Sequence, residues 1–220
     1  MKLLVLIFTL KNIPKLSWSS FDVLNLKPKI VTLLYLIFGL ILCGLGETIL
    51  IAASAGVSPW TVLAQGLSFK TGHSIGLTTF IVSIGVLCFW IPLRQKPGIG
   101  TILNTIIIPI VIDVSLPYLP TPELLALQIL QVIIGVVIVG LGSGFYLIAN
   151  LGPGPRDGLM TGIQKMTNLS IALIRGVIEI SAVLVGWYLG GMVGIGTIVF
   201  ALGIGPFVSA GIFFVGRYIK

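Results

Sequence analysis

Charge is what this chain has least of. Of its 220 residues, 13 are Lys or Arg and 6 are Asp or Glu, with one histidine and two cysteines. So few acids and a single imidazole supply no ligand cluster at metal-binding spacing, and neither metal nor cofactor is expected. A Gly-x-Ser-x-Gly elbow and a phosphate-binding Gly-Lys-Ser/Thr loop are both missing, so nothing in the sequence points to an enzyme. Cys43 and Cys88 stand inside apolar runs and read as reduced thiols facing lipid or core.

What fills the chain is apolar. Hydrophobic residues make up 56% of it and the mean hydropathy is +1.16. A soluble domain of this length has no way to cover so much apolar surface, so the fold class is all-α, a polytopic integral membrane helical bundle. The lipid bilayer is its first partner. The net charge of +7 then belongs to basic loops on the cytoplasmic face rather than to a nucleic-acid surface.

The apolar runs predict about six spans of bilayer length. They cover 30–53, 74–93, 99–116, 124–149, 170–189 and 194–214. Residues 1–29 form a basic tail with Lys2, Lys11, Lys15, Lys27 and Lys29. Its run Leu3–Leu10 is too short to cross, and no small-residue cleavage site follows, so no cleaved signal peptide is expected. Trp18 and Phe21 suit the headgroup level beside those lysines. The membrane region divides into 30–116 and 124–220, joined by the Pro-rich linker 117–123.

Each half also carries a short segment, 58–70 and 155–167. About a dozen residues reach only about 18 Å as a helix, too short to cross, so each is a re-entrant or interfacial helix. Ser58 is a candidate N-cap with Pro59 as first helical residue, and Gly154-Pro155 repeat that start. Asp157 falls in the first turn of the second short helix, where the helix dipole favours an acid. Ser74 is a candidate cap for the second span.

A shift of 96 maps one half onto the other without a gap. Gly44-Leu45-Gly46 returns as Gly140-Leu141-Gly142, and Gly56-Val57-Ser58-Pro59 as Gly152-Pro153-Gly154-Pro155. Gly98-Ile99-Gly100-Thr101-Ile102 returns as Gly194-Ile195-Gly196-Thr197-Ile198. From Leu34 to Ile102 roughly a third of positions are identical to their partners, which reads as an internal duplication. Three spans per copy is odd, so the second copy enters from the opposite side and the two are inverted. With both termini in the cytoplasm, eleven of the thirteen Lys and Arg fall inside, leaving Lys70 outside and Arg175 within a span.

Ionisable residues inside a span need a partner or a task, because burying a charge in hydrocarbon is costly. Glu47, Asp113, Arg175 and Glu179 are the candidates. Arg175 and Glu179 share a helix face at i, i+4. They read either as an ion pair that locks helices together or as the wall of a polar cavity. Glu47 and Asp113 stand near the outer ends of their spans and are expected to snorkel to the interface. Asn104 suits a helix–helix hydrogen bond and His73 an interfacial position, while the glycine-rich runs suit close helix packing. Asn150-Leu151-Gly152-Pro153-Gly154-Pro155-Arg156-Asp157-Gly158 is either a tight turn with a surface ion pair or part of a binding site.

That stretch, continued through Leu159-Met160-Thr161-Gly162 and joined by Gly56-Val57-Ser58-Pro59-Trp60 and Ile91-Pro92-Leu93-Arg94-Gln95-Lys96-Pro97-Gly98, resembles the YczE branch of the bacterial YczE/YyaS/YitT membrane proteins. The resemblance runs from Ile30 to Phe214 and leaves out the basic tail. It implies a multi-span protein of the bacterial cytoplasmic membrane, and any mechanism has to come from the repeat. Inverted repeats with interrupted helices are a recurring transporter plan with the site at the repeat interface. The expectation is therefore a small secondary-transporter-like protein moving an anionic or zwitterionic solute, bound by Ser58, Pro59, Gly154, Pro155, Arg156, Asp157, Arg175 and Glu179. The rival is a non-transporting scaffold or a regulatory subunit of another membrane complex. A second copy or a partner subunit is compatible with either.

Overall fold

The computed structural model describes residues 13–219, so the run Leu3–Leu10, Lys2, Lys11 and Lys220 lie outside the described residues. Among the described residues, apolar runs punctuated by Pro, Gly and Ser become eight α-helices. They are α1 Ile30–Ala52, α2 Pro59–Thr71, α3 Ile75–Cys88, α4 Ile99–Ser115, α5 Leu125–Ala149, α6 Pro155–Thr167, α7 Ile171–Tyr188 and α8 Ile195–Tyr218. A 3-10 turn, Leu116–Tyr118, follows α4. Among the described residues there is no strand.

The start signals work as their chemistry dictates. Pro59 and Pro155 open the short helices, where their missing N–H costs nothing. The hydroxyls of Ser74 and Ser170 accept from the backbone N–H of Leu77 and Leu173. Gly72 and Asn168, 96 apart, close α2 and α6 in the left-handed conformation at φ 73° and 56°.

Five helices, α1, α4, α5, α7 and α8, are long and apolar enough to cross a membrane. The second expected span ends early, at Cys88 rather than Leu93. From Phe89 onward the chain turns through i→i−3 bonds, and Pro92 offers no N–H to continue a helix. Trp90 folds inward, and its indole N–H donates to the Pro155 carbonyl at 2.9 Å. A bend of 115° separates α2 from this shortened helix. The last span runs further than expected, to Tyr218, because no breaker stands after Phe214.

The tail corrects a further expectation. Trp18 is buried, with its indole N–H donating to the Ile219 carbonyl and its ring 4.6 Å from that of Tyr35. Asn150 donates to the Ser20 carbonyl at 3.0 Å. Residues 13–29 thus cap one end of the bundle, and Phe21 alone of the two aromatics stays exposed.

At the centre α1 and α5 cross antiparallel. Gly39 lies against Gly142 and Gly46 against Gly135, so the contacts run in opposite directions along the two helices. An added Cβ at Gly39 would come within 2.7 Å of the Gly142 carbonyl, so only glycine lets the backbones approach this closely. Many contacts recur at a shift of 96. Gly44 meets Val111 as Gly140 meets Phe207. The Gly100 N–H donates to the Leu151 carbonyl at 2.7 Å, and the Gly196 N–H to the Ala55 carbonyl at 2.8 Å. The short helices bridge the halves, with α2 packed on α7 as well as on α3, and α6 on α3 as well as on α7.

Candidate functional site

Where the short helices bridge the halves lies a cavity of about 420 Å³, and each of the eight described helices contributes to its wall. From α1 come Cys43 and Glu47; from α2, Pro59, Trp60 and Thr61; from α5, Ser143 and Tyr146. Gly154 with Pro155, Arg156 and Asp157 of α6, and Arg175 with Glu179 of α7, bring the other charged side chains. Seven of the eight expected site residues therefore converge on one space, although 120 positions separate Pro59 from Glu179.

Ser58 is the eighth, and its role differs from the expected one. It occupies the N-cap position of α2 without capping, because its hydroxyl donates instead to Glu47 Oε2 at 2.9 Å. The Thr61 hydroxyl donates to the same oxygen at 2.8 Å. Glu47 consequently does not snorkel. It is 6% exposed and faces the cavity. The physical reason is the return of α2 beneath the end of α1, which brings two hydroxyls to the carboxylate and compensates part of its desolvation. Asp113 behaves differently. It is exposed, accepts from the Ser74 hydroxyl at 2.6 Å and the Gly76 N–H at 2.7 Å, and so fastens the start of α3 to α4.

Arg175 and Glu179 pair at 2.8 Å, Nε to Oε1, on the cavity wall. Arg156 has no such partner. Among the described residues no carboxylate lies within salt-bridge distance of it, and its guanidinium stacks 5.3 Å from the centre of the Trp60 ring. Trp60 and Arg156 are equivalents under the shift of 96, so the second residues of the two short helices meet across the middle of the molecule.

Two wall groups escaped sequence reasoning. The Trp60 indole N–H and the Tyr146 hydroxyl are buried and have no hydrogen-bond partner among the described residues. Trp60 stood next to Pro59 in a recognised motif, but its orientation was not readable. Tyr146 carried no signal within its apolar run. Asn104 lines the cavity. Among the described residues no group of three His, Cys, Asp or Glu side chains is arranged to hold a metal.

Long apolar helices in this number, wrapped around one charged interior space, define a polytopic helical membrane protein. Within that class the chain belongs to the family described as "Family of unknown function (DUF6198)", whose model matches residues 30–212. It is 38% identical over 197 residues to an "Uncharacterized protein" of Haemophilus influenzae, spanning 90% of this chain and 89% of that one. It is 33% identical over 166 residues to the "Uncharacterized membrane protein YczE" of Bacillus subtilis, spanning 74% of this chain and 77% of the relative. The "Uncharacterized protein YyaS" of the same organism is 28% identical over 169 residues, with 75% and 84% of the two chains covered. No solved structure matches.

Proposed function

We propose that this protein is a small secondary transporter of the bacterial cytoplasmic membrane, built from two inverted copies and moving an anionic or zwitterionic solute through the central cavity. One observation carries the reading. A cavity with five charged side chains lies where equivalent helices of the two halves meet, which is where inverted-repeat transporters bind their cargo. A packed scaffold has no use for charges held there at the cost of desolvation.

The inverted relation is supported by the contacts. Equivalent helices α1 and α5 run antiparallel, and the Gly39–Gly142 contact becomes Gly46–Gly135 when each residue is exchanged for its equivalent. Reciprocity of this kind is what a two-fold axis in the membrane plane produces. The positive-inside pattern supports cytoplasmic termini. Arg156 lines the cavity rather than an inner loop, and ten of the remaining twelve Lys and Arg still fall inside.

The test has two parts. Reporter fusions after Tyr118 and after Lys220 are expected on opposite sides of the membrane, and finding both on one side would end the inverted-repeat reading. Purified protein in liposomes is expected to move at least one labelled solute from an anionic and zwitterionic panel. Arg156→Gln is expected to abolish that flux while leaving the melting temperature within a few degrees.

A further inference from the structure

We infer that the cargo carries one carboxylate and one ammonium on an apolar body, an amino-acid-like zwitterion, with its carboxylate held at Arg156 and its ammonium at Glu47. The inference rests on the transport reading and narrows its solute class.

The carboxylate end follows from unmet donors. Arg156 has no acidic partner within salt-bridge distance among the described residues. Trp60 Nε1 and the Tyr146 hydroxyl, in residues 6% and 5% exposed, are unpartnered and belong to the same wall. Buried polar groups are satisfied in nearly all proteins, so two orphaned groups beside a free guanidinium mark the seat of an acceptor. The Tyr146 oxygen and Asp157 Oδ2 lie 3.4 Å and 3.5 Å from the same point, where a Gly154 Cβ would be, so the part of the wall left to the cargo carboxylate is that of Arg156 and Trp60. A guanidinium fork and an indole N–H suit a carboxylate.

The ammonium end follows from the acids. Glu47 Oε2 accepts two hydroxyls, and among the described residues no Lys or Arg pairs with the carboxylate. Arg175 and Glu179 satisfy one another, and Asp157, like Glu47, has no Lys or Arg within salt-bridge distance among the described residues. The wall holds three acids, Glu47, Asp157 and Glu179, against two arginines. A bare anion would therefore add negative charge to a site already formally negative, whereas an ammonium gives Glu47 the counter-charge it lacks. Ile112, Val139, Phe200 and Ile204 make much of the remaining surface apolar, which suits an aliphatic or aromatic body.

Matched probes test this on the full chain purified in detergent. Leucine and phenylalanine are compared by calorimetry with the acids 4-methylpentanoate and 3-phenylpropanoate and the amines 3-methylbutylamine and phenethylamine. At least one amino acid is expected to bind tenfold or more tightly than both its acid and its amine. Glu47→Gln is expected to weaken that amino acid at least tenfold while the acid binds no more weakly than before, since a like charge is removed from the wall, whereas Arg156→Gln weakens both. An acid or amine binding as tightly as its amino acid overturns the inference, as does failure of both amino acids to bind. The comparison on unaltered protein stands even if a variant does not fold. Flux of a bare anion with no preference for an amino group would sink this inference and spare the transport reading. Amino-acid binding without flux would do the reverse.

Discussion

Two seams in this molecule occupy equivalent positions and differ in almost every respect. The α3–α4 seam is closed. Gly76 is buried against the Pro109 carbonyl and the Asp113 carboxyl, and Asp113 holds both Ser74 and the Gly76 N–H. The α7–α8 seam has no comparable packing, and the equivalents Ala172 and Gly205 are exposed. The residues explain the contrast. Thr79 and Ser83 are small, and Thr79 is 3% exposed. Their equivalents are Arg175 and Glu179, and 47% of the Arg175 side chain is accessible. An accessible ion pair stands where the other half has two hydroxyls, and closing α7 onto α8 would have to bury it. One half is thus latched and the other ajar around the same cavity. Under the proposed topology, which puts the termini in the cytoplasm, the open seam faces inward. In an inverted-repeat transporter the opposite state follows when the two copies exchange these arrangements.

The largest expected effect breaks the comparison at its tightest point. Gly76→Val puts branched carbon into the Pro109 carbonyl and the Asp113 carboxyl, and overpacking of that kind costs about 1–3 kcal/mol. Ala172→Val, at the exposed equivalent, should stay within about 0.5 kcal/mol of the parent. Thermal unfolding in detergent measures both, and equal tolerance would mean that the seams do not differ as described.

A smaller effect sharpens the role of the ion pair. Replacing an accessible i, i+4 pair changes stability by only about 0.2–1 kcal/mol, so the Arg175→Met, Glu179→Leu double variant should fold. Glu179→Leu alone should be less stable than the double, because it leaves Arg175 without its partner. Flux should be lost in the double variant if, as proposed, the pair lines the solute path. An active double variant would reduce the pair to a structural contact.

Much of this architecture was legible because it rests on local chemistry. Pro59, Pro155 and Ser74 begin helices whatever surrounds them. The periodic glycines announced close packing without naming partners. Glu47 was misread because its fate depends on α2 folding back beneath α1, which no local pattern encodes. The shift of 96 did hold a clue. Glu47 and Thr61 have the equivalents Ser143 and Asp157, so an acid and a hydroxyl recur in both halves with their positions exchanged. Trp18 was misread for a similar reason, since its burial requires the ends of α1, α5 and α8 to converge. Trp60 and Tyr146 stood out only when their missing partners could be seen.

The exchange of seams is the central claim, and one cross-link tests it most directly. With Cys43 and Cys88 replaced by alanine and serine, Ala172→Cys and Ser209→Cys reproduce on α7 and α8 the positions that Gly76 and Asp113 hold in the closed seam. A disulfide forms only when the two Cα atoms come within about 7 Å. Mild oxidation in native membranes is predicted to link the pair, and linked protein in liposomes is predicted not to transport until reduced. Absence of any link, in protein that still moves solute, would contradict the exchange.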